Sequence, residues 1–271
     1  MTQPMQRTLS QTAALLALVL AFVGGPAAAA EQYEVWPGLK KDVFGDRAIA
    51  EEDGKVTLEA PYRADDAAMV PLTIRIPADI AAKVSKLTLI IDQNPAPVAA
   101  AFTFGKGMGD GERMMETRVR IDMYSNVRAV IEEQDGTLHM TTKFVKASGG
   151  CSAPAGKDVE EAMANLGKMQ IKTFAPAESG TIAQAQVMMR HVQYTGMQMD
   201  QASRNFTPAR FVTELTVMNG EDMVFRMDGG ISVSENPNFR FTYAGGSGII
   251  EVTAKDTEGA VFTASHDPKG S

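Results

Sequence analysis

The feature that most constrains this chain is an alternation of apolar and polar residues with period two. In residues 70–76, Val70, Leu72, Ile74 and Ile76 alternate with Pro71, Thr73 and Arg75. In 115–123, Met115, Val119, Ile121 and Met123 oppose Glu116, Arg118, Arg120 and Asp122. Successive side chains of a strand point to opposite faces, so each run predicts a strand with one face buried. Shorter runs at 55–59, 86–91, 99–104, 126–131 and 137–145 extend the series. Turn signals separate them: Asp53-Gly54, Asn94-Pro95, a glycine-rich stretch at 105–111 and Asp135-Gly136. Many short strands between regular turns predict an antiparallel sandwich. Gly105, Gly107, Gly109 and Gly111 are spaced like a phosphate-cradling loop, but the following segment alternates as a strand does, where a nucleotide site needs a helix. They read as a hairpin loop.

The pattern breaks at 146–156, KASGGCSAPAG, where almost every side chain is small. A short helix is expected over 158–169: Asp158 and Glu161 form a capping box, Val159, Met163 and Leu166 share a face, and Gly167 falls near the end. Residues 175–180 read as linker. Alternation then resumes through Phe211, Leu215 and Val217. Asn219-Gly220 predicts a hairpin turn into 223–227, because that turn needs positive φ. Strands follow at 231–234, 239–243, 249–254 and 260–264. The fold class expected is mainly β: two immunoglobulin-like antiparallel β-sandwich domains joined by a short helix-containing linker. The boundaries are 1–30, 31–150, 151–180 and 181–271.

Residues 1–30 read as an export signal. Arg7 supplies a positive start, 13–23 an apolar run, Gly24-Gly25-Pro26 a break and Ala28-Ala29-Ala30 a cleavage site near Ala30. Eleven apolar residues are too few for a bilayer span, which takes about twenty. The expectation is a soluble periplasmic protein beginning near Glu31, with no membrane anchor. A net charge of −7 with no basic stripe argues against nucleic acid. No acidic pair forms a catalytic motif, and Ser265-His266-Asp267 is mere adjacency in an expected C-terminal tail. No enzyme active site, cofactor or metal centre is expected.

Two candidate chemistries remain. Met188, Met189, His191, Met197 and Met199 lie within a dozen residues, and soft thioethers with imidazole suit Cu(I). An accessory that carries copper, or that assists assembly of a periplasmic quinoprotein dehydrogenase, is therefore the alternative function; methionines filling a core are the plainer account. The stronger candidate is Cys151, the one cysteine in the sequence. It has no internal disulfide partner, which in an exported chain points to a reactive thiol or to a disulfide-linked dimer. Gly149 and Gly150 offer a flexible arm. Lys146, Lys157 and the expected helix N-terminus favour the thiolate. An exposed, ionised thiol is expected.

These residues carry a resemblance. Asp92-Gln93-Asn94-Pro95, Thr117-Arg118-Val119-Arg120-Ile121 and Ser148-Gly149-Gly150-Cys151 resemble SoxY, the sulfur-carrier subunit of bacterial thiosulfate oxidation. Arg190-His191, Thr195-Gly196 and residues 231–237, ISVSENP, resemble its partner subunit SoxZ. The whole is similar to the fused SoxYZ-like carriers associated with quinoprotein dehydrogenases. The resemblance implies a non-catalytic carrier that holds a sulfur-containing intermediate on Cys151, with Gly149 and Gly150 as its arm. It would serve periplasmic redox enzymes, either Sox-type cytochromes or a quinoprotein dehydrogenase system. Ser152 and Ala153 stand where the SoxY arm has glycines, and here a second domain follows the arm. His191 is followed by Val192 in place of the usual proline and is assigned no chemistry.

Overall fold

The computed structural model describes residues 35–154, 159–174, 182–200, 203–246 and 248–269. The expected export signal and the 175–180 linker lie outside them. No helix among the described residues is long and apolar enough to cross a membrane.

The first half opens with α1 (Trp36–Phe44), whose Pro37 sits in the first turn, where a missing N–H costs nothing. There follow β1 (Ile49–Glu51), β2 (Thr57–Glu59), β3 (Val70–Ile76), the single turn α2 (Ala78–Ala81), β4 (Val84–Ile91), β5 (Val98–Phe104), β6 (Arg113–Val119), β7 (Ser125–Glu133) and β8 (Leu138–Val145). Next come α3 (Val159–Ala164) and β9 (Met169–Phe174). The second half continues with β10 (Ile182–Met189), β11 (Val212–Asn219), β12 (Asp222–Gly229), β13 (Asn238–Ala244), β14 (Ile250–Asp256) and β15 (Val261–His266).

Among the described residues these strands form two sheets, in the orders β1-β8-β7-β4-β5-β12-β11-β14-β15 and β2-β3-β6-β13-β10-β9. The fold is mainly β, as the alternation predicts. The two halves do more than abut. Strand β5 pairs antiparallel with β12, Phe104 opposite Phe225 and Ala100 opposite Gly229. Strand β6 pairs with β13 through Met115–Phe241 and Glu116–Arg240. Both sheets therefore run unbroken through both halves, and one hydrophobic cluster extends from Leu58 and Leu72 to Val252 and Ala254. At the junction Phe225 packs edge-on against Phe102 at 5.8 Å, Phe239 at 6.5 Å and Phe241 at 4.9 Å between ring centres.

The structure departs from the expected elements in several places. Residues 169–174 form β9, an edge strand paired with β10, where no strand is expected; the helix expected over 158–169 spans only Val159–Ala164. Residues 231–234 form a loop, with Ser232 and Ser234 buried. The glycine-rich 105–111 stretch crosses from one sheet to the other and does not close a hairpin. It presses so closely on β12 that a Cβ at Gly107 would lie 2.8 Å from the Asp222 carbonyl oxygen. Strand β1 pairs parallel to β8, and His266 lies in β15 with its Nε2 3.1 Å from Thr173 Oγ1, so Ser265 and His266 are not in a tail.

At the β1–β8 edge, His139 bridges two carboxylates. Its Nδ1 is 2.5 Å from Asp53 Oδ2 and its Nε2 2.9 Å from Glu133 Oε1. Burial works against protonating His139, but the hydrogen bonds and charges of Asp53 and Glu133 outweigh it and leave the imidazole above its ordinary 6.5. Burial likewise works against ionising Asp53, yet His139 and the Lys55 N–H hold it below 3.8. A raised histidine stabilises fully below its unfolded value and loses that stability as pH rises through the folded one; a depressed carboxylate loses its contribution as pH falls. The bridge is thus complete between about pH 4 and 6.5. Wild type should exceed His139→Gln in unfolding free energy by about 0.5–1.5 kcal/mol near pH 6 and by less near pH 8, read from urea midpoints. A difference constant across that range would refute the charged bridge.

Candidate functional site

Cys151 follows β8 at the junction of the halves. Its backbone docks onto the loop beyond β6. Gly149 N–H donates to the Asp122 carbonyl at 2.7 Å, Gly150 N–H to the Ile121 carbonyl at 3.0 Å, and Cys151 N–H reaches Asp122 Oδ1 at 3.3 Å. The Gly150 carbonyl accepts from Arg120 Nη1 at 3.1 Å. From the second half, Thr195 Oγ1 donates to the Cys151 carbonyl at 2.6 Å. Gly149 has φ of 77°, which favours glycine. At Gly150 a Cβ would come within 2.6 Å of the Ile121 oxygen and also meet the Ala67 oxygen, so only glycine fits.

Cys151 is fully buried. Burial, with Asp122 adding to it, pushes the thiol up to about 11, against a smaller downward pull from Arg120. The expected exposed thiolate is therefore not what this structure holds, and Gly149 and Gly150 are pinned segments in it, not a loose arm. The expected electrostatic help is also placed elsewhere. Lys146 Nζ sits over the Tyr62 ring, 4.9 Å from its centre, and Lys157 lies outside the described residues. The sequence around Cys151 suggested exposure because its chain neighbours are small; the groups that bury it come from Arg120, Asp122 and Thr195, far away in sequence.

Arg120 is the site residue that sequence reasoning passed over as a strand position. It is 1% exposed, and its Nε has no hydrogen-bond partner among the described residues. Burial lowers its pKa, opposed by Glu235, the Cys151 sulfur and Asp66. Glu235 and Asp66 offset the cost of burying this charge, and an anion beside the guanidinium would offset it further. The scaffold around it ties the halves together. Asn94 Nδ2 donates to the Arg120 carbonyl at 2.7 Å and to Ser232 Oγ at 2.9 Å, and its Oδ1 accepts from Asp122 N–H at 2.9 Å. Arg120 N–H donates to the Ser232 carbonyl at 2.7 Å, and Ser234 Oγ to the Ala68 carbonyl at 2.7 Å.

The methionine and histidine residues considered for copper are dispersed. Met189 points into the core, Met188 onto the opposite sheet face, and Met199 is exposed. His191 is buried with both ring nitrogens engaged: Nδ1 accepts from Gln193 N–H at 3.2 Å, and Nε2 lies 3.5 Å from Asp256 Oδ2.

The two halves of this mainly β chain meet at its single cysteine, with a buried arginine beside it. Residues 40–151, ending on Cys151 itself, match the family of sulfur oxidation protein SoxY. Residues 171–267 match the family of sulphur oxidation protein SoxZ. The chain belongs to these families as a fused SoxYZ-like protein, with both domains in one polypeptide. No curated protein matches it. Among solved structures, the sulfur carrier protein SoxY from Chlorobium limicola f thiosulfatophilum is 20% identical, with a TM-score of 0.31, covering 42% of this chain and 91% of its own. A β-glycosidase from Bacteroides vulgatus is 7% identical with a TM-score of 0.24, covering 78% of this chain and 24% of its own.

Proposed function

We propose that Cys151 is the covalent attachment point of a non-catalytic carrier in sulfur oxidation, and that the protein works in the periplasm after cleavage near Ala30. The observation that carries the reading is the placement of the single cysteine at the end of the SoxY match, gripped by Thr195 of the SoxZ half and set beside an anion-seeking Arg120. Attachment joins the cysteine sulfur to the terminal sulfur of an anionic compound: the thiol loses its proton, an S–S bond forms, and two electrons pass to a partner redox enzyme, a Sox-type cytochrome or a quinoprotein dehydrogenase system. A negative charge on the cargo would answer the buried charge of Arg120. The closed thiol has a chemical use. At about 11 it is almost wholly protonated at neutral pH and resists stray oxidation, including dimerisation through Cys151, until a partner releases the Thr195 contact.

Intact mass spectrometry of protein purified from cells oxidising reduced sulfur tests this. The expected spectrum shows a chain starting near Glu31 with a sulfur-containing adduct that maps to Cys151 and disappears on reduction. Cys151→Ser should remain folded and lose complementation of growth on the sulfur compound. An unmodified thiol together with full complementation by Cys151→Ser would remove the carrier role.

A further inference from the structure

On the outer face of the six-stranded sheet lies a cleft of about 490 Å³. Its floor follows from the strand registers. Met188 in β10 stands opposite Asn238 in β13 on one side and Gln170 in β9 on the other. On β6, beyond the Glu116–Arg240 pair, the Arg118 carbonyl accepts from the Ser234 N–H at 3.2 Å, and Arg118 lines the same cleft. Asn238, Met188 and Gln170 thus form one row across three strands, and Arg118 on the neighbouring β6 extends the lining. Two residues further along, Asn236, Arg190 and Lys168 form a second row, joined by the Arg190 N–H donating to the Lys168 carbonyl at 2.8 Å. With about 4.8 Å between strands, the lining from β6 to β9 runs roughly 14 Å across the sheet.

The cleft reverses the sign of a chain whose net charge is −7. Arg118 at one end and Arg190 and Lys168 at the other are lining cations, and among the described residues no carboxylate lines the cleft. None of the three forms an ion pair among the described residues; Lys168 Nζ donates only to Asn165 Oδ1, at 2.7 Å. Between the cations lie carboxamides, each able to donate and to accept. Asn238 Oδ1 already accepts from Gln186 Nε2 at 3.0 Å and Asn236 Oδ1 from the His191 N–H at 3.2 Å, and a single tetrahedral oxyanion could meet the cations of one end only. An extended polypeptide spans this width with about four residues and can set a carboxylate at each end.

We propose that this cleft docks an acidic, extended segment of a partner protein. The site is built jointly: Arg118 comes from the SoxY match and Arg190 and Asn236 from the SoxZ match. Arg118 is also two residues from Arg120, roughly 7 Å along the chain, and Arg120 holds the Gly150 carbonyl beside the thiol. A segment seated here brings its protein to the cysteine's side of the molecule. The cleft stands on its own geometry, so its test is independent of whether Cys151 carries sulfur.

The probe is fluorescein-labelled hexaglutamate, read by anisotropy against the full-length exported protein at low ionic strength, with hexaglutamine as the uncharged control. Hexaglutamate should bind and hexaglutamine should not. The triple variant Arg118→Gln, Lys168→Gln, Arg190→Gln should weaken binding by roughly tenfold or more, whereas Lys83→Gln, Lys143→Gln, Lys255→Gln, distant cations on the other sheet, should leave it unchanged. Thermal melts followed by circular dichroism establish that both variants are folded. Three results would each overturn the proposal: equal binding by the cleft variant, equal binding of hexaglutamine, or displacement of the probe by sodium sulfate more effectively than by sodium chloride at matched ionic strength, which would make the cleft a small-oxyanion site.

Discussion

Iodoacetamide is expected to alkylate Cys151 at least about a hundredfold more slowly in the native protein than in the unfolded chain at neutral pH. The reagent consumes thiolate. Burial and Asp122 lift the thiol from its ordinary 9.0 to about 11, and each pKa unit costs a factor of ten in thiolate at a pH below both values. Steric closure slows the native reaction further, because Cys151 is fully buried. The native rate should therefore report opening of the 149–151 segment. Thr195→Val removes the 2.6 Å hydrogen bond to the Cys151 carbonyl, which is the second half's grip on that segment. A hydrogen bond of this kind contributes about 0.5–1.5 kcal/mol, so the variant should react roughly threefold to tenfold faster than wild type. Native alkylation as fast as that of the unfolded chain would show that the closed state is not the resting one.

The second large effect lies in the core. Phe225→Ala should cost about 3–5 kcal/mol, because the ring is fully buried and touches Phe102, Phe239 and Phe241. Against a total stability of about 5–15 kcal/mol that is a severe loss. Its distribution is the informative part. Phe225 belongs to the second half, while Phe102 and Trp36 belong to the first, and Trp36 is the only tryptophan in the chain. With sheets and core continuous across the junction, Trp36 fluorescence and far-ultraviolet circular dichroism should report one shared transition, displaced equally by Phe225→Ala. A Trp36 transition left in place by the variant would mean that the halves unfold independently.

How much of this was legible in the sequence depends on the distance over which each feature is determined. Strand β3 was read with both ends correct because Val70, Leu72, Ile74 and Ile76 alternate locally, and each proves buried. The hairpin at Asn219-Gly220 was equally local, with Gly220 at φ of 60°. Strand β9 was hidden by overlapping patterns: Met169 and Ile171 alternate with Gln170 and Lys172, but the same stretch begins with helix-forming residues and ends against a linker composition. Residues 231–234 carry a strand's alternation, yet Ser232 and Ser234 are spent on bonds to the first half at Asn94, Ala96 and Ala68, so the segment stays a loop. The burial of Cys151 is not legible in its small chain neighbours, which say nothing about what arrives from residues 120 and 195. Arg120 alternated like its strand neighbours, and only three dimensions show it to be a buried cation.

The seam between the halves has one more consequence. Strands β5 and β6 end the first half's share of the two sheets, and β12 and β13 begin the second half's. Apart from each other, each half would display two bare strand margins, the templates on which chains stick to the wrong neighbours. Made as one polypeptide, every such margin is synthesised together with the strand that covers it. Equal dosage of the two parts is then written into the chain itself, and no imbalance in expression can leave one half waiting for the other.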